Sequence, residues 1–478
     1  MTSYSRRLLA RAAARCAAAV SLAAVGIALT GCNLDKTLKV QDVDVATPES
    51  TASAAGLPVL YGGGLADFQQ QMNYVDGTVD LPGLLSDELR DIDTFPTRIS
   101  VDQRGPIQIN NGTVQQWLRY MQQARASLER GASAFAQFAA KDARRGEMHA
   151  LEGLMYVYFG EDFCNGMPYS EFTNGNPVYG APTSNTQSFQ LAVAEADSAL
   201  AIIATSDTVA QGTLIKTVRN LASVVKGRAH LDLNQPDLAA AAVANVPLTF
   251  QYDVYNSTNS SRENNGIYIN VGPLSKRYAV SDGEGPNTIP FRTLGWNDAN
   301  ATGDARVRYY KSGIGQDGQS TAYYTLKYPD YGTPIVVADG VEAQLITAED
   351  KLHNNDDAGW LGILNALRAN TALLNSPPYT IAGQKPATAL AALTDPGTDS
   401  TRVDLMFQER ALWMYLTGHR LGDLRRLVRQ YNRADAQFPS GTYGGAAGGP
   451  MGSDFNFPIS IDEQNNTTAP NGCTDRKA

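Results

Sequence analysis

Glu409, Arg410, Arg420, Asp423, Arg425 and Arg426 crowd the stretch "ERALWMYLTGHRLGDLRR", residues 409–426. Side chains of these types can shuttle protons, hold an anion, or lock parts of a fold together. Proton transfer at a glycosidic bond needs two flanking carboxyl groups, roughly 5–5.5 Å apart for retention and about 6.5–9.5 Å for inversion. Glu342 and Glu349 come nearest to such a pair, but seven residues on one helical stripe separate them by about 10.5 Å along the axis. Two acids on one helix do not flank a substrate, so the chain is not read as an enzyme. No G-x-S-x-G, H-E-x-x-H or Walker loop occurs. "GIG" at 313–315 lacks the third glycine and the βαβ setting of a dinucleotide fingerprint. His149, His230, His353 and His419 are scattered and there is no C-x-x-C, so neither a metal centre nor a cofactor is expected. "NDANATGD" (297–304) resembles a calcium loop but has Tyr309 where the bidentate glutamate belongs. A polar turn is the first reading there and a surface calcium the second.

Binding chemistry is better represented than catalysis. Ten of the 22 tyrosines fall between residues 250 and 335, where an even spread would place about four. A planar ring stacked on the apolar face of a sugar, with a polar rim around it, holds a polar ligand at modest affinity. Trp296, Tyr309, Tyr310, Tyr323 and Tyr324 are the candidate ligand contacts. The competing reading is that these rings pin long loops to a core. Trp117 and Trp413 fall within helical patterns and are expected to be buried.

The elements that must hold these residues are mainly helical. Val114, Trp117, Met121, Ala124 and Leu128 recur at helical spacing, as do Phe189, Val193, Ala196, Leu200 and Ile203. Val218, Leu221, Val225 and Ala229 form a third stripe, and Val341, Leu345, Ala348 and Leu352 a fourth. In "KGRAHLDLNQPDLAAAAVANVP" (226–247) one helix ends near Asn234, Pro236 opens a second, and Pro247 follows its end. This has the form of a degenerate tetratricopeptide-type pair. Further pairs are expected from 142–160 with 187–205, 341–353 with 357–374, and 401–418 with 421–432. The expected architecture is a helical scaffold over 112–247 and 336–435, a loop-rich ligand region over 250–335 and a C-terminal tail over 436–478, within one domain spanning 57–478. "GIYINV" and "STAYYTLKY" are read as short strands of small hairpins. Gly418 suits the position after a helix end. Charges near 409–426 then point inward, and buried charge persists only when paired. Glu409 or Asp423 with Arg410, Arg420 or Arg425 is expected to clasp two helices.

The N-terminal stretch has Arg6, Arg7, Arg11 and Arg15 before an apolar run ending in "LTGC" at Cys32. This is a secretory signal in outline, residues 1–31, with a lipobox that would place a lipid on Cys32 and a tether over 32–56. An ordinary signal peptide or an organellar transit peptide is the alternative. Acyl chains would anchor the protein to a membrane, and no later run is long enough to span one. A net charge of −9 argues against nucleic acid as a partner. Cys164 and Cys473 either pair or stand as separate thiols.

Several motifs together carry a resemblance. "DLMFQERALWMYLTGHRLGDLRR" supplies Glu409, Arg410, Gly418, Arg420, Asp423, Leu424 and Arg426. "VEAQLITAED" (341–350), "FPISIDEQNNT" (457–467), "GDARVRYY" (303–310) and "SDE" (86–88) follow the same set, with Ser460 and Ala305 standing where prolines are usual. These resemble, in order, the hallmarks of the SusD/RagB family of outer-membrane nutrient-binding lipoproteins. The resemblance implies four tetratricopeptide-like helix pairs in a right-handed superhelical scaffold carrying long irregular loops and short β-hairpins. It also implies a lipid-anchored protein on the outer membrane, facing the cell exterior. The partner would be a TonB-dependent barrel of the SusC type, and the ligand an oligosaccharide or, in some members, a peptide. The family brings no catalytic residues, and its ligand contacts are not part of its motifs. The remaining alternative is a helical scaffold for protein–protein contact alone.

Overall fold

The computed structural model describes residues 53–173 and 176–478. The signal segment, Cys32 and most of the tether lie outside them. Among the described residues there are fifteen α-helices. They are α1 (Leu57–Asn73), α2 (Asp80–Leu85), α3 (Pro96–Asp102), α4 (Gly112–Phe138), α5 (Ala143–Asp162), α6 (Asn185–Ile203), α7 (Thr208–Asp232) and α8 (Pro236–Val243). There follow α9 (Gly266–Val271), α10 (Phe291–Leu294), α11 (Gly340–His353), α12 (Asp357–Ala369), α13 (Thr371–Leu374), α14 (Asp399–Trp413) and α15 (Arg420–Arg429).

The long helices start where short polar side chains can take up free backbone N–H groups. Asn111 caps α4, Asp142 α5, Asp207 α7 and Asp339 α11, while Ser184 and Gln187 close a capping box on α6. Each such cap is worth about 1 kcal/mol. Asn234 takes a left-handed φ of 58° between α7 and α8, and Pro236 opens α8. The helices stack in succession, α4 on α5, α5 on α6, α6 on α7, α7 on α8, then α8 on α11 and α11 on α12. Their shared faces are the apolar stripes: Trp117, Met121, Ala124 and Leu128 of α4 and Val218, Leu221, Val225 and Ala229 of α7 are all buried. This is the mainly helical, paired scaffold expected from the periodicity.

The last expected pair is different in kind. Helix α14 stops at Trp413, with six residues between it and the start of α15, and the turn they form is left-handed at Leu416 (φ 52°) and Gly418 (φ 72°). Gly418 therefore belongs to this turn and not to the end of α14. A Cβ there would also lie 3.1 Å from Thr78 O, so the position suits glycine twice over.

Strands are short. β1 (Leu89–Asp91), β2 (Met167–Pro168), β3 (Glu171–Thr173), β4 (Asn176–Val178), β5 (Pro182–Thr183), β6 (Gln251–Val254), β7 (Tyr278–Val280), β8 (Gly295–Asn297), β9 (Asp304–Ile314), β10 (Thr321–Thr325) and β11 (Ile335–Asp339) form two- and three-stranded sheets. β9 pairs antiparallel with β10 and parallel with β8, while β6 pairs with β11, which leads straight into α11. "STAYYTLKY" contains β10, but "GIYINV" is helix α9, not a strand. Asn265 caps it by accepting from Tyr268 N, and its buried Ile267 and Val271 are four residues apart, on one helical face. The tail from 436 is aperiodic and is fastened at its end. Phe457 bridges to Phe163, Cys473 is disulfide-bonded to Cys164, and Asn165 bridges to Asp475.

Candidate functional site

The five aromatic residues singled out from the sequence come together on the β8–β9–β10 sheet, but strand geometry divides them. Successive side chains of a strand point to opposite faces, so the neighbours Tyr309 and Tyr310 part company, as do Tyr323 and Tyr324. A bulge opposite Ala322–Tyr323 sets Tyr324 against Tyr310 and Thr325 against Tyr309. The rings then pair across strands. Tyr309 meets Tyr323 edge-on at 5.9 Å, and Tyr310 meets Tyr324 at 5.7 Å.

Two of the five offer no open ring. Trp296 is 8% exposed and packs in a core cluster with Trp360, Leu345 and Trp413, with the Arg308 guanidinium 4.7 Å over its ring. Tyr309 is 9% exposed. Neither presents the open ring expected of a ligand contact: Trp296 is held in the cluster around Trp360, and Tyr309 is buried in the main core. Tyr323 is half-buried beneath Arg292, 4.4 Å from its ring, and Arg292 is paired with Asp282.

The other face is open. Tyr310 is 44% exposed, Tyr324 is half-buried beside it, and Tyr324 interacts in turn with Tyr268. Tyr268 meets Tyr331 edge-on at 4.9 Å. Burial first, then Tyr310 and Tyr268, push the Tyr324 phenol up. Behind α9, whose Tyr268 faces this row, lies a cavity of about 480 Å³ lined by Gln70, Asn73, Tyr74, Tyr120, Arg262 and Asn264. Tyr74 and Tyr120 meet at 4.8 Å, and the Asn73 amide donates to Asn256 Oδ1 at 3.2 Å and to Arg262 O at 3.2 Å. Asn73 Oδ1 is buried without a partner. Amides, an arginine and tyrosine hydroxyls beside open rings can hydrogen-bond and stack a polyhydroxylated ligand. Sequence reasoning missed this cavity. Its one local signal was the amide-rich "QQQMNY" at 69–74, and Tyr120 and Asn264 reach it from distant parts of the chain.

A larger cavity of about 930 Å³ has mostly apolar walls, with Phe250, Val336, Val341, Leu373 and Tyr379 among them. Lys327 and Asp339 lie at its inner side. Burial pushes Lys327 down to about 8 and Asp339 up to about 7. None of the five sequence-chosen aromatics lines it.

Charges in 409–426 build an interior network and line none of the open aromatic face. Arg410 Nε bonds Asp423 at 3.0 Å, which is the expected clasp between α14 and α15. Burial opposes ionisation of Asp423, yet Arg410 and Arg426 outweigh it and hold its carboxyl well below the usual range. Three pairings differ from expectation. Arg420 grips Asp87 with two hydrogen bonds, 2.7 and 2.8 Å. Glu409 takes Arg306 at 2.6 Å and Arg368 at 2.7 Å. Arg425 donates to the carbonyls of Gly160, Glu161 and Phe163. Glu349 binds Arg426 and Tyr431, and Glu342 lies 3.1 Å from His419. Both acids are 1% exposed and line none of these cavities, so they are structural.

No family model matches the sequence, and no curated protein does either. Solved structures with the same fold do exist. A SusD homolog from Bacteroides thetaiotaomicron superposes with a TM-score of 0.62 at 12% identity, covering 90% of this chain and 99% of its own. A SusD superfamily protein from Bacteroides vulgatus gives 0.59 at 14%, covering 87% and 97%. A laminarin-binding SusD-like protein gives 0.56 at 13%, covering 87% and 98%. The chain thus has the SusD-like fold, a mainly helical scaffold with short sheets and long loops. No helix among the described residues is long and apolar enough to cross a membrane.

Proposed function

We propose that this chain is a nutrient-binding protein of the SusD type that captures an oligosaccharide on the tyrosine face formed by Tyr310, Tyr324, Tyr268 and Tyr331. It is a binder and not an enzyme, held at the outer membrane by a lipid on Cys32 and passing its ligand to a TonB-dependent barrel of the SusC type. One observation carries the reading. Tyr310 is exposed with Tyr324 half-buried against it, Tyr268 of α9 pairs with Tyr331, and the cavity behind α9 is rimmed by amides and Arg262, groups suited to stacking and hydrogen-bonding sugars. The laminarin-binding protein of the same fold supports a glycan as ligand class.

Titration calorimetry against a panel of α- and β-linked oligosaccharides tests the proposal. At least one glycan should bind, and Tyr310→Ala/Tyr324→Ala should weaken it about tenfold or more, with each ring worth about 1 kcal/mol. Silence across the panel, or binding untouched by the double substitution, would overturn the assignment. Release of reducing ends would revive an enzyme.

A further inference from the structure

Among the described residues one group of metal-type side chains converges. His149 and Glu152, one turn apart on α5, meet Glu195 of α6, with one ligand atom from each lying within 4.8 Å of the others. His149 Nδ1 is 2.5 Å from Glu195 Oε2. Its other ring nitrogen, Nε2, is shut off from solvent and has no partner. Glu152 is only 3% exposed. The one hydrogen bond it takes among the described residues is a 3.2 Å contact from Tyr156 Oη. It also faces the carboxylates of Glu195 and Glu129, with Arg125 as the cation on that side. Arg125 in turn bonds Glu129 at 2.9 Å and the Ser170 carbonyl, which leaves Glu152 without a direct ion pair.

We propose that His149, Glu152 and Glu195 bind a divalent first-row transition ion of the Zn²⁺ class, fastening α5 to α6. One imidazole and two carboxylates form the mixed nitrogen–oxygen set such ions take, with bonds of about 2.0–2.2 Å and a fourth position left to water. A tetrahedral site of those bond lengths sets its ligand atoms roughly 3.3–3.6 Å apart. Reaching that spacing needs the 2.5 Å contact between His149 and Glu195 to widen and the wider separations, up to 4.8 Å, to close. His149 and Glu195 are 17% and 22% exposed, so an ion has a way in. The metal bonds take the place of the contact between His149 and Glu195 and supply a positive charge beside Glu152. The site lies on the helical scaffold and is independent of the glycan reading.

The test uses the full-length chain, purified without a polyhistidine tag, stripped with chelator and titrated with ZnCl₂ in a calorimeter. One Zn²⁺ per chain is expected, with a higher melting temperature on saturation and a visible absorption band when Co²⁺ replaces it. Glu195→Gln keeps a hydrogen bond to the imidazole and should weaken Zn²⁺ by more than the roughly 10–100-fold lost with a mere supporting partner. Its metal-free melting temperature should match the parent's. His149→Asn should do the same, and if it does not fold, Glu195→Gln decides alone. An ion pair only, seen as no stoichiometric uptake or as equal affinity in the variants, would overturn the proposal. Tighter binding of Ca²⁺ than of Zn²⁺ would also overturn it.

Discussion

Two regions of this molecule use their polar side chains in opposite ways. Around α14 and α15, Arg410, Arg420, Arg426, Glu409 and Asp423 are all under 4% exposed, and every one is paired. On the β9–β10 face, Tyr310 is exposed and Tyr324 is half-buried against its ring. The partners of the interior charges come from the other motifs of the resemblance: Asp87 from "SDE", Arg306 from "GDARV" and Glu349 from "VEAQLITAED". Those motifs are spread along the chain because they are the two ends of buried ion pairs. A buried pair cannot lose one member without stranding the other, so this region carries a pattern. An open ring can be exchanged for another ring, so the tyrosine face carries none.

The comparison can be broken where the effects are largest. Arg420→Ala leaves Asp87 buried and unpaired and should lower folding stability by about 3–5 kcal/mol in urea titration, with glycan affinity per folded molecule unchanged. Unchanged melting with abolished binding would reverse the roles of the two regions. Trp296→Ala, in the core beneath the sheet, should also cost about 3–5 kcal/mol of stability, placing that residue with the interior and not with the binding face.

A subtler contrast lies within the interior. Asp423, Glu342 and Glu349 have carboxyls held low, so the stability they confer is present at neutral pH and is lost as pH falls below about 4. Glu88 runs the other way. Burial raises it to about 8 although Leu416 N donates to it. Its folded form holds a proton that the unfolded chain has released, so stability should decline as pH rises from about 4 to 8. Glu88→Gln should flatten that slope by about one proton in pH-resolved unfolding, and an unaltered slope would place the proton elsewhere. The smallest effect belongs to the open face. Tyr310→Ala should weaken glycan binding about fivefold and shift stability by no more than about 0.5 kcal/mol. A large stability loss would show that ring to be part of the core.

The helical scaffold was legible because apolar spacing is local. Val114 to Leu128 and Val218 to Ala229 are buried as their periods require. "GIYINV" was not, because six residues satisfy both a two-residue and a four-residue period, and only the cap at Asn265 decides between them. Adjacent tyrosines read naturally as pairs, and a strand sends such neighbours to opposite faces. Arg420 and Asp87 are 333 residues apart, so their pairing had no local trace. The same holds for Asn73 with Arg262 in the polar cavity, and for His149 with Glu195, which only the packing of α5 on α6 unites.

The disulfide between Cys164 and Cys473 closes a covalent ring over 309 residues of separation. The exposed loops of the tyrosine face lie within that ring. A protease that cuts once between residues 165 and 472 therefore severs the backbone without releasing either piece. The helices on both sides of the cut stay joined through Cys164, and the scaffold can hold its shape around the nick. That arrangement lets the loops of the tyrosine face be long and accessible while the chain remains whole.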